Sequence, residues 1–104
     1  MADTGGDRFS LPEIHRVRGN LLLARSAAER ETAEATYRQA IEIARVQQAR
    51  LLELRAATTL ARLWGENGGR GAARELLTPV YEKFNDGFDT PDLKDAKSLL
   101  GELA

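Results

Sequence analysis

The chain has 104 residues and a formal net charge of -1, with 42% hydrophobic residues, 30% charged residues and no cysteine. This length corresponds to one compact domain, and the balanced charge offers no overall attraction to DNA or anionic lipid. Without cysteine there is no disulfide framework, thiol nucleophile or cysteine-ligated metal; without a long apolar run or a signal peptide, we expect a cytoplasmic protein with no membrane partner.

The N-terminal part of the chain predicts a leader followed by a first helix. Residues 1–10 are polar and contain glycine, so we expect a flexible leader, and a single helical domain over residues 11–104. Ser10 and Glu13 have capping-box spacing, which predicts that a helix over residues 11–25 begins here. Its apolar side chains recur at helical spacing: Ile14, Val17, Leu21 and Leu22.

Two further helices are predicted before the first clear glycine turn. The second runs to about residue 48, and its inward face is predicted to be Ala33, Tyr37, Ala40, Ile41 and Ala44. The third covers residues 51–66, with an apolar face of Leu54, Ala57, Leu60, Ala61 and Trp64. Neither proline nor glycine separates the two, so the break near residues 48–50 is inferred from helical phase and length. Glycines at 68 and 69 then end the third helix.

The C-terminal part predicts two more helices. The fourth covers residues 71–84, with core candidates Ala73, Leu76, Leu77, Val80, Tyr81 and Phe84. Pro79 lies inside it and predicts a kink or an early end. The fifth covers residues 90–103, with Thr90 as cap, Pro91 in the first turn and an apolar stripe of Leu93, Ala96, Leu99, Leu100 and Leu103.

A ladder of small and bulky residues occurs in both even-numbered helices. In the second helix it consists of Ala33, Tyr37 and Ala40; 40 residues later, in the fourth, it consists of Ala73, Leu77 and Val80. Each ladder lies in the second helix of a predicted hairpin, and repeated hairpins predict a helical solenoid. The fifth helix is then predicted to cap the end of the stack.

The two hairpins resemble tetratricopeptide repeats. The matching residues of the first helices are the pairs Gly19 and Leu22, and Ala61 and Trp64, followed in each case by the ladder. The spacing of 40 residues departs from the family's 34, and the usual closing proline is absent. The resemblance implies an all-α superhelix of two hairpins, over residues 11–48 and 51–84, with a capping helix, which binds protein and catalyses no reaction.

A narrower resemblance covers most of the chain. The segments over residues 11–19, 37–45, 54–64 and 87–97 are similar to the C-terminal repeats of large bacterial signalling proteins. Those proteins join a class III nucleotide cyclase or winged-helix domain to a signal-transduction ATPase and a tetratricopeptide tail. The resemblance implies that the chain is a regulatory tail, or a stand-alone relic of one. No ATPase or cyclase motif occurs in the sequence.

The family resemblance also implies a binding groove along the first helices of the hairpins. The groove positions carried over are Glu13, Arg16, Asn20 and Leu23 in one hairpin and Arg55, Thr58, Arg62 and Glu66 in the other. The candidate partner-binding residues are Arg16, Asn20, Arg55, Thr58 and Arg62. They resemble the basic clamp with which some tetratricopeptide domains hold a peptide carboxylate, and arginine pairs bidentately with carboxylates. The alternative interpretation is that these are ordinary solvated side chains.

Catalytic, metal and nucleotide motifs find little support. The glycines at 68–71 lack the strand and the terminal Lys-Ser/Thr of a P-loop, His15 is a lone histidine, and the aspartates of residues 86–95 lack EF-hand order. We therefore expect no cofactor, no metal and no enzymatic activity. Tyr37 and Trp64 are interpreted as core residues rather than as a platform for bases, so no nucleic-acid partner is expected.

Self-association remains an alternative function. Two hairpins bury little core, and the end of the first helix offers an apolar edge that a second copy would cover. A small enzyme is a third and weaker alternative, because the sequence contains no catalytic constellation.

Overall fold

The computed structural model describes residues 11–25, 27–85 and 90–104, and this part of the chain is helical, without strands. Its helices are α1 (Leu11–Arg25), α2 (Arg30–Gln47), α3 (Arg50–Glu66), α4 (Arg70–Tyr81) and α5 (Pro91–Leu103), with a 3-10 turn at Ala27–Glu29. The all-α prediction is thus confirmed for these residues. The predicted leader, the Ser10 cap, and the aspartates at 86 and 89 lie outside the described residues.

The helices pack as neighbours along the chain. The most extensive helix pairs are α1 with α2, α3 with α4, and α2 with α3. In addition α3 contacts α1, and α5 contacts both α3 and α4. The described molecule measures 45 × 38 × 19 Å, and its thin dimension accommodates two layers of helices, since each is about 10 Å wide.

The break between α2 and α3 occurs where helical phase predicted it. Gln48 adopts a left-handed conformation with φ of 60°, and the Ala49 N–H donates to the Ala44 carbonyl at 2.8 Å. A left-handed residue closed by such a bond is a common way to end a helix. A glutamine does here what glycine usually does, which is why no glycine or proline marks the boundary in the sequence.

Helix α4 is shorter than predicted, since it ends at Tyr81 rather than near residue 84. Pro79 has no N–H to donate to the preceding turn, and the early end that it predicted is observed. The chain continues in a tighter turn, with the Phe84 N–H donating to the Tyr81 carbonyl at 3.2 Å. Phe84 nevertheless packs, partly buried, against the core.

The start of α5 matches the predicted position, with one correction. Thr90 has the extended backbone of an N-cap residue, and Pro91 occupies the first turn. The Thr90 hydroxyl, however, accepts no capping hydrogen bond from a backbone N–H of the first turn. The first turn is instead held by the backbone, where the Lys94 N–H donates to the Thr90 carbonyl at 3.0 Å.

The core is built around the two ladders. All six ladder residues are buried, and Tyr37 is only 1% exposed. The buried hydrophobic residues of α3 and α5 complete this cluster: Leu54, Ala56, Ala57, Leu60, Ala61, Leu93, Ala96, Leu99 and Leu103. Trp64 is only partly buried against the core, and the Arg38 guanidinium lies 5.2 Å from the centre of its ring.

The predicted apolar face of α1 requires a correction. Only Leu22 of that face packs, partly buried, against the core, whereas Ile14, Val17 and Leu21 are exposed. Helix α1 turns a different side inward, where Gly19 is buried and Leu23 packs against the core cluster. The inward side therefore carries Gly19, Leu22 and Leu23, whereas Ile14, Val17 and Leu21 lie on the outward side. Because Gly19 has no side chain, the Tyr37 ring of α2 can pack closely against the inward side.

A methyl group at Gly19 is expected to destabilise the fold. A Cβ there would lie 2.6 Å from Cε1 of the buried Tyr37 ring, and overpacking of this kind costs about 1–3 kcal/mol. That cost exceeds the gain of about 1 kcal/mol in helix propensity, so we expect Gly19→Ala to lower the free energy of unfolding in urea titrations. The matched control is Gly101→Ala, where nothing lies within 4 Å and a gain of about 0.5–1 kcal/mol is expected. Equal gains at both positions would contradict the close approach of α1 to Tyr37.

Candidate functional site

A groove with a volume of about 290 Å³ lies between α1 and α3. It is lined by Arg16, Asn20, Leu23, Tyr37, Thr59, Arg62, Leu63 and Glu66. Three of the five candidate partner-binding residues therefore share one groove, since Arg16 and Asn20 come from α1 and Arg62 comes from α3. The partly buried Leu23 and Leu63, which pack against the core, give the groove an apolar part.

Arg16 is held in place by a carboxylate one turn before it. Its Nε donates to Glu13 Oε1 at 2.8 Å, and its Nη2 donates to Glu13 Oε2 at 3.2 Å. Because a guanidinium has five N–H groups, this fork leaves three of them for another acceptor. Arg16 is thus a positioned donor whose direction is set by Glu13.

Asn20 is oriented by the hydroxyl of Tyr37. The ring of Tyr37 is buried, and its hydroxyl donates to Asn20 Oδ1. With its carbonyl oxygen occupied, Asn20 has its amide N–H donors left for the groove. Burial raises the pKa of the Tyr37 hydroxyl above its usual range, against a smaller opposing effect of the Arg16 charge, so Tyr37 keeps the proton that this hydrogen bond requires.

Arg62 contributes the second guanidinium of the groove. Its Nη2 donates to Asp95 Oδ1 of α5 at 2.7 Å, and both side chains are about half exposed. An exposed pair of this kind contributes about 1 kcal/mol or less, so Arg62 can turn to another carboxylate at little cost. Glu66 follows one helical turn later and is exposed.

The other two candidate residues lie outside this groove's lining. Arg55 bridges α1 and α5: its Nη1 lies 2.8 Å from Glu13 Oε2, and its Nη2 and Nε reach the carboxylate of Asp92 at 2.8 and 3.2 Å. Thr58 is buried and donates its hydroxyl to the Leu54 carbonyl of its own helix at 2.8 Å. In the described chain both side chains make internal contacts, and Arg55 joins three helices.

The ion pairs of Glu13 with Arg16 and Arg55 predict how the stability of the fold depends on pH. The hydrogen bond from Arg16, assisted by Arg55 and opposed by burial, holds the pKa of Glu13 below its ordinary value of 4.5. The ionised carboxylate of Glu13 therefore stabilises the fold, and this contribution is fully present at pH values above the ordinary pKa of 4.5. It is lost as the pH falls through the lower pKa that Glu13 has in the folded state. We expect Glu13→Gln to be less stable than wild type at pH 7 and to lose less stability between pH 5 and 3. Urea titrations at several pH values measure this, and parallel pH profiles for the two proteins would contradict it.

Three lining residues, Tyr37, Thr59 and Leu63, were not among the groove positions predicted from the sequence. Tyr37 was interpreted as a core residue, which describes its ring but not its hydroxyl at the groove. Thr59 donates its hydroxyl to the Arg55 carbonyl at 3.0 Å, leaving its oxygen as an acceptor. The available signal for Tyr37 was its place on a buried ladder, next to the helix that carries Asn20. No pattern in the sequence marks Thr59 or Leu63 as groove residues.

Neither a metal cluster nor a membrane-spanning helix accompanies the groove in the described part of the chain. No group of three or more potential metal-ligating side chains occurs among the described residues. No helix in the described ranges has the length and apolarity needed to cross a bilayer. His15 of α1 is partly buried, and its Nδ1 has no hydrogen-bond partner among the described residues. No protein-family model, curated protein or solved structure matches the chain.

Proposed function

We propose that the chain is a non-catalytic protein-interaction module that holds an acidic peptide segment in the groove between α1 and α3. The observation that carries this proposal is the convergence of Arg16, Asn20 and Arg62 on that groove. Each of the three retains N–H donors after its internal hydrogen bonds are counted. A carboxylate is an acceptor that satisfies several such donors at once.

The remaining lining residues specify what accompanies the carboxylate. Leu23 and Leu63 provide an apolar surface for a neighbouring apolar side chain of the peptide. Glu66 places a negative charge one turn beyond Arg62, so a second peptide carboxylate is disfavoured there and a backbone N–H or a basic side chain is favoured. The proposed ligand therefore carries a carboxylate next to an apolar residue, rather than a uniformly acidic tract.

The order of helix packing supports a tetratricopeptide-like superhelix. Helix α3 contacts both helices of the first hairpin, and α5 contacts both helices of the second, as expected if α1, α3 and α5 are equivalent first helices. In this proposal the groove lies on the face formed by those helices. Together with the segments that resemble bacterial signalling tails, this supports a role as a cytoplasmic regulatory tail, or a relic of one.

The test begins with a library of displayed peptides that have free C-terminal carboxylates. A selected peptide is then titrated in carboxylate and amide forms against the wild-type chain and an Asn20→Asp variant. The aspartate still accepts the hydrogen bond from Tyr37 but replaces the amide donors of the groove with negative charge. We expect binding to weaken at least about tenfold, the size of one lost charge-assisted hydrogen bond, in the variant and in the amide form.

The matched control is Gln39→Glu, which adds the same charge at an exposed position of α2 outside the groove. We expect this variant to bind the peptide like wild type. A selected peptide that binds Asn20→Asp and wild type equally would overturn the assignment of the groove. Failure of the library to yield any ligand would overturn the proposal of a carboxylate site.

A further inference from the structure

An apolar stripe runs along the outer side of α1. It consists of Ile14, Val17 and Leu21, which are 46%, 43% and 64% exposed. Together with Glu13 and Arg18 they line one shallow, almost wholly apolar concavity. Three large hydrophobic side chains on two turns of one helix are the most concentrated exposed apolar surface of the described chain, and such patches mark interaction sites.

The other end of the helical stack has the opposite character. The outer face of α5 is mostly polar, and the exposed residues of this helix are Pro91, Lys94, Asp95, Lys97, Ser98, Gly101 and Glu102. Arrays of helical hairpins need a polar face at each end to remain soluble. Helix α5 supplies one at the C-terminal end of the described stack, whereas the exposed stripe of α1 is apolar, as interaction surfaces are.

The spacing and the flanking charges of the stripe identify its occupant. Residues 14, 17 and 21 have the i, i+3, i+7 spacing of the seam between two paired helices. Glu13 precedes the first of them and Arg18 follows the second, which places the two charges on opposite edges of the seam. In a parallel helix pair such edge positions, five residues apart, meet across the interface and form ion pairs.

These charges distinguish a parallel from an antiparallel pair. A parallel copy related by a twofold axis brings each Glu13 towards the Arg18 of its partner, twice per dimer. An antiparallel copy centred on the stripe brings the two Arg18 side chains together, which is unfavourable. Arg18 is exposed, and it is in none of the ion pairs between residues that the structure describes.

We propose that the stripe on α1 binds a second copy of this chain, forming a parallel, twofold-symmetric homodimer. Ile14, Val17 and Leu21 meet their counterparts in the seam, and Glu13 pairs with the partner's Arg18. A 15-residue helix is about 22 Å long, so the interface is smaller than those of stable complexes, and the dimer is weak. The groove residues Arg16, Asn20 and Leu23 lie on a different side of α1 from the stripe. The two proposals share only Glu13, whose carboxylate also accepts hydrogen bonds from Arg16 and Arg55.

Sedimentation equilibrium measures the association at chain concentrations from about 10 μM to 1 mM. This range suits the weak binding expected of a small interface. We expect a monomer–dimer equilibrium in wild type and at least about tenfold weaker dimerisation in Arg18→Glu, because two attractive contacts become repulsive. Arg50→Glu, at an exposed position of α3, makes the same change of charge and is expected to dimerise like wild type. Circular dichroism establishes that each variant is folded.

Cysteine cross-linking measures the orientation, and the absence of native cysteine makes it unambiguous. In a parallel dimer the cysteine of Ile14→Cys faces the same cysteine of the second copy. A solution that contains only this variant is therefore expected to form a disulfide-linked dimer on mild oxidation. Efficient linkage only in a mixture of Ile14→Cys and Leu21→Cys would indicate the antiparallel arrangement and overturn the proposal. A wild-type chain that stays monomeric at 1 mM, or a dimer unaffected by Arg18→Glu, would overturn it as well.

Discussion

Replacing Tyr37 by alanine is expected to lower the free energy of unfolding by about 3 kcal/mol or more. The side chain is 1% exposed and lies in the main hydrophobic cluster, and its ring fills the space beside Gly19 of α1. Truncating a buried aromatic residue removes its burial and leaves a cavity, which typically costs about 3–5 kcal/mol. Urea unfolding followed by circular dichroism measures the change.

The Tyr37→Phe variant separates the ring from the hydroxyl. It keeps the packing against Gly19 but removes the hydrogen bond to Asn20, so we expect a loss of only about 1 kcal/mol. In the peptide titration it should also weaken binding, because Asn20 is no longer held in one orientation. A loss below about 1 kcal/mol in Tyr37→Ala would mean that the proposed packing of the first hairpin is wrong.

Replacing Lys83 by methionine is expected to cost about 2 kcal/mol or more. Its Nζ lies 3.1 Å from both carboxylate oxygens of Glu53, which is 2% exposed in the interior. Removing one partner of such a pair leaves a buried charge that is poorly compensated. Among the residues that the structure describes, Arg45 then remains as the ion-pair partner, with its Nε 3.5 Å from Glu53 Oε2.

The double variant Glu53→Met, Lys83→Met tests this explanation. Replacing both partners by apolar groups removes the buried charge, so most of the stability lost in Lys83→Met should return. Lys97→Met, at an exposed position of α5, is the matched control and should change stability by about 0.5 kcal/mol or less. If the losses of the two single variants simply add in the double variant, the ion pair does not explain the effect.

Local sequence was sufficient to predict most helix positions. Pro91 predicts the start of α5, and the glycines at 68 and 69 predict the end of α3; both positions agree with the structure. Proline and glycine act through their own backbone constraints, which depend little on distant contacts. The two ladders were also predicted to be buried, since their spacing places the three residues of each ladder on one face of its helix.

The candidate site was predicted only in part, because its geometry depends on contacts between helices. Arg16, Asn20 and Arg62 line one groove, whereas Arg55 turns towards carboxylates 37 and 42 residues away in the sequence. Several acidic residues are available to each arginine, and only the packing of α1, α3 and α5 selects among them. The burial of Glu53 was not predicted for the same reason, since its partners come from α2 and from the turn after α4.

The sequence by itself determined that the chain is helical, where its helices lie and which ladder residues form the core. Those properties follow from helical periodicity and from the backbone constraints of a few residues. Tertiary structure alone decided which side of α1 faces inward, where the close approach of Gly19 to the Tyr37 ring favours one apolar set and leaves Ile14, Val17 and Leu21 exposed. Both sets have helical spacing, so periodicity could not choose between them; only the fit of one against a neighbouring helix could.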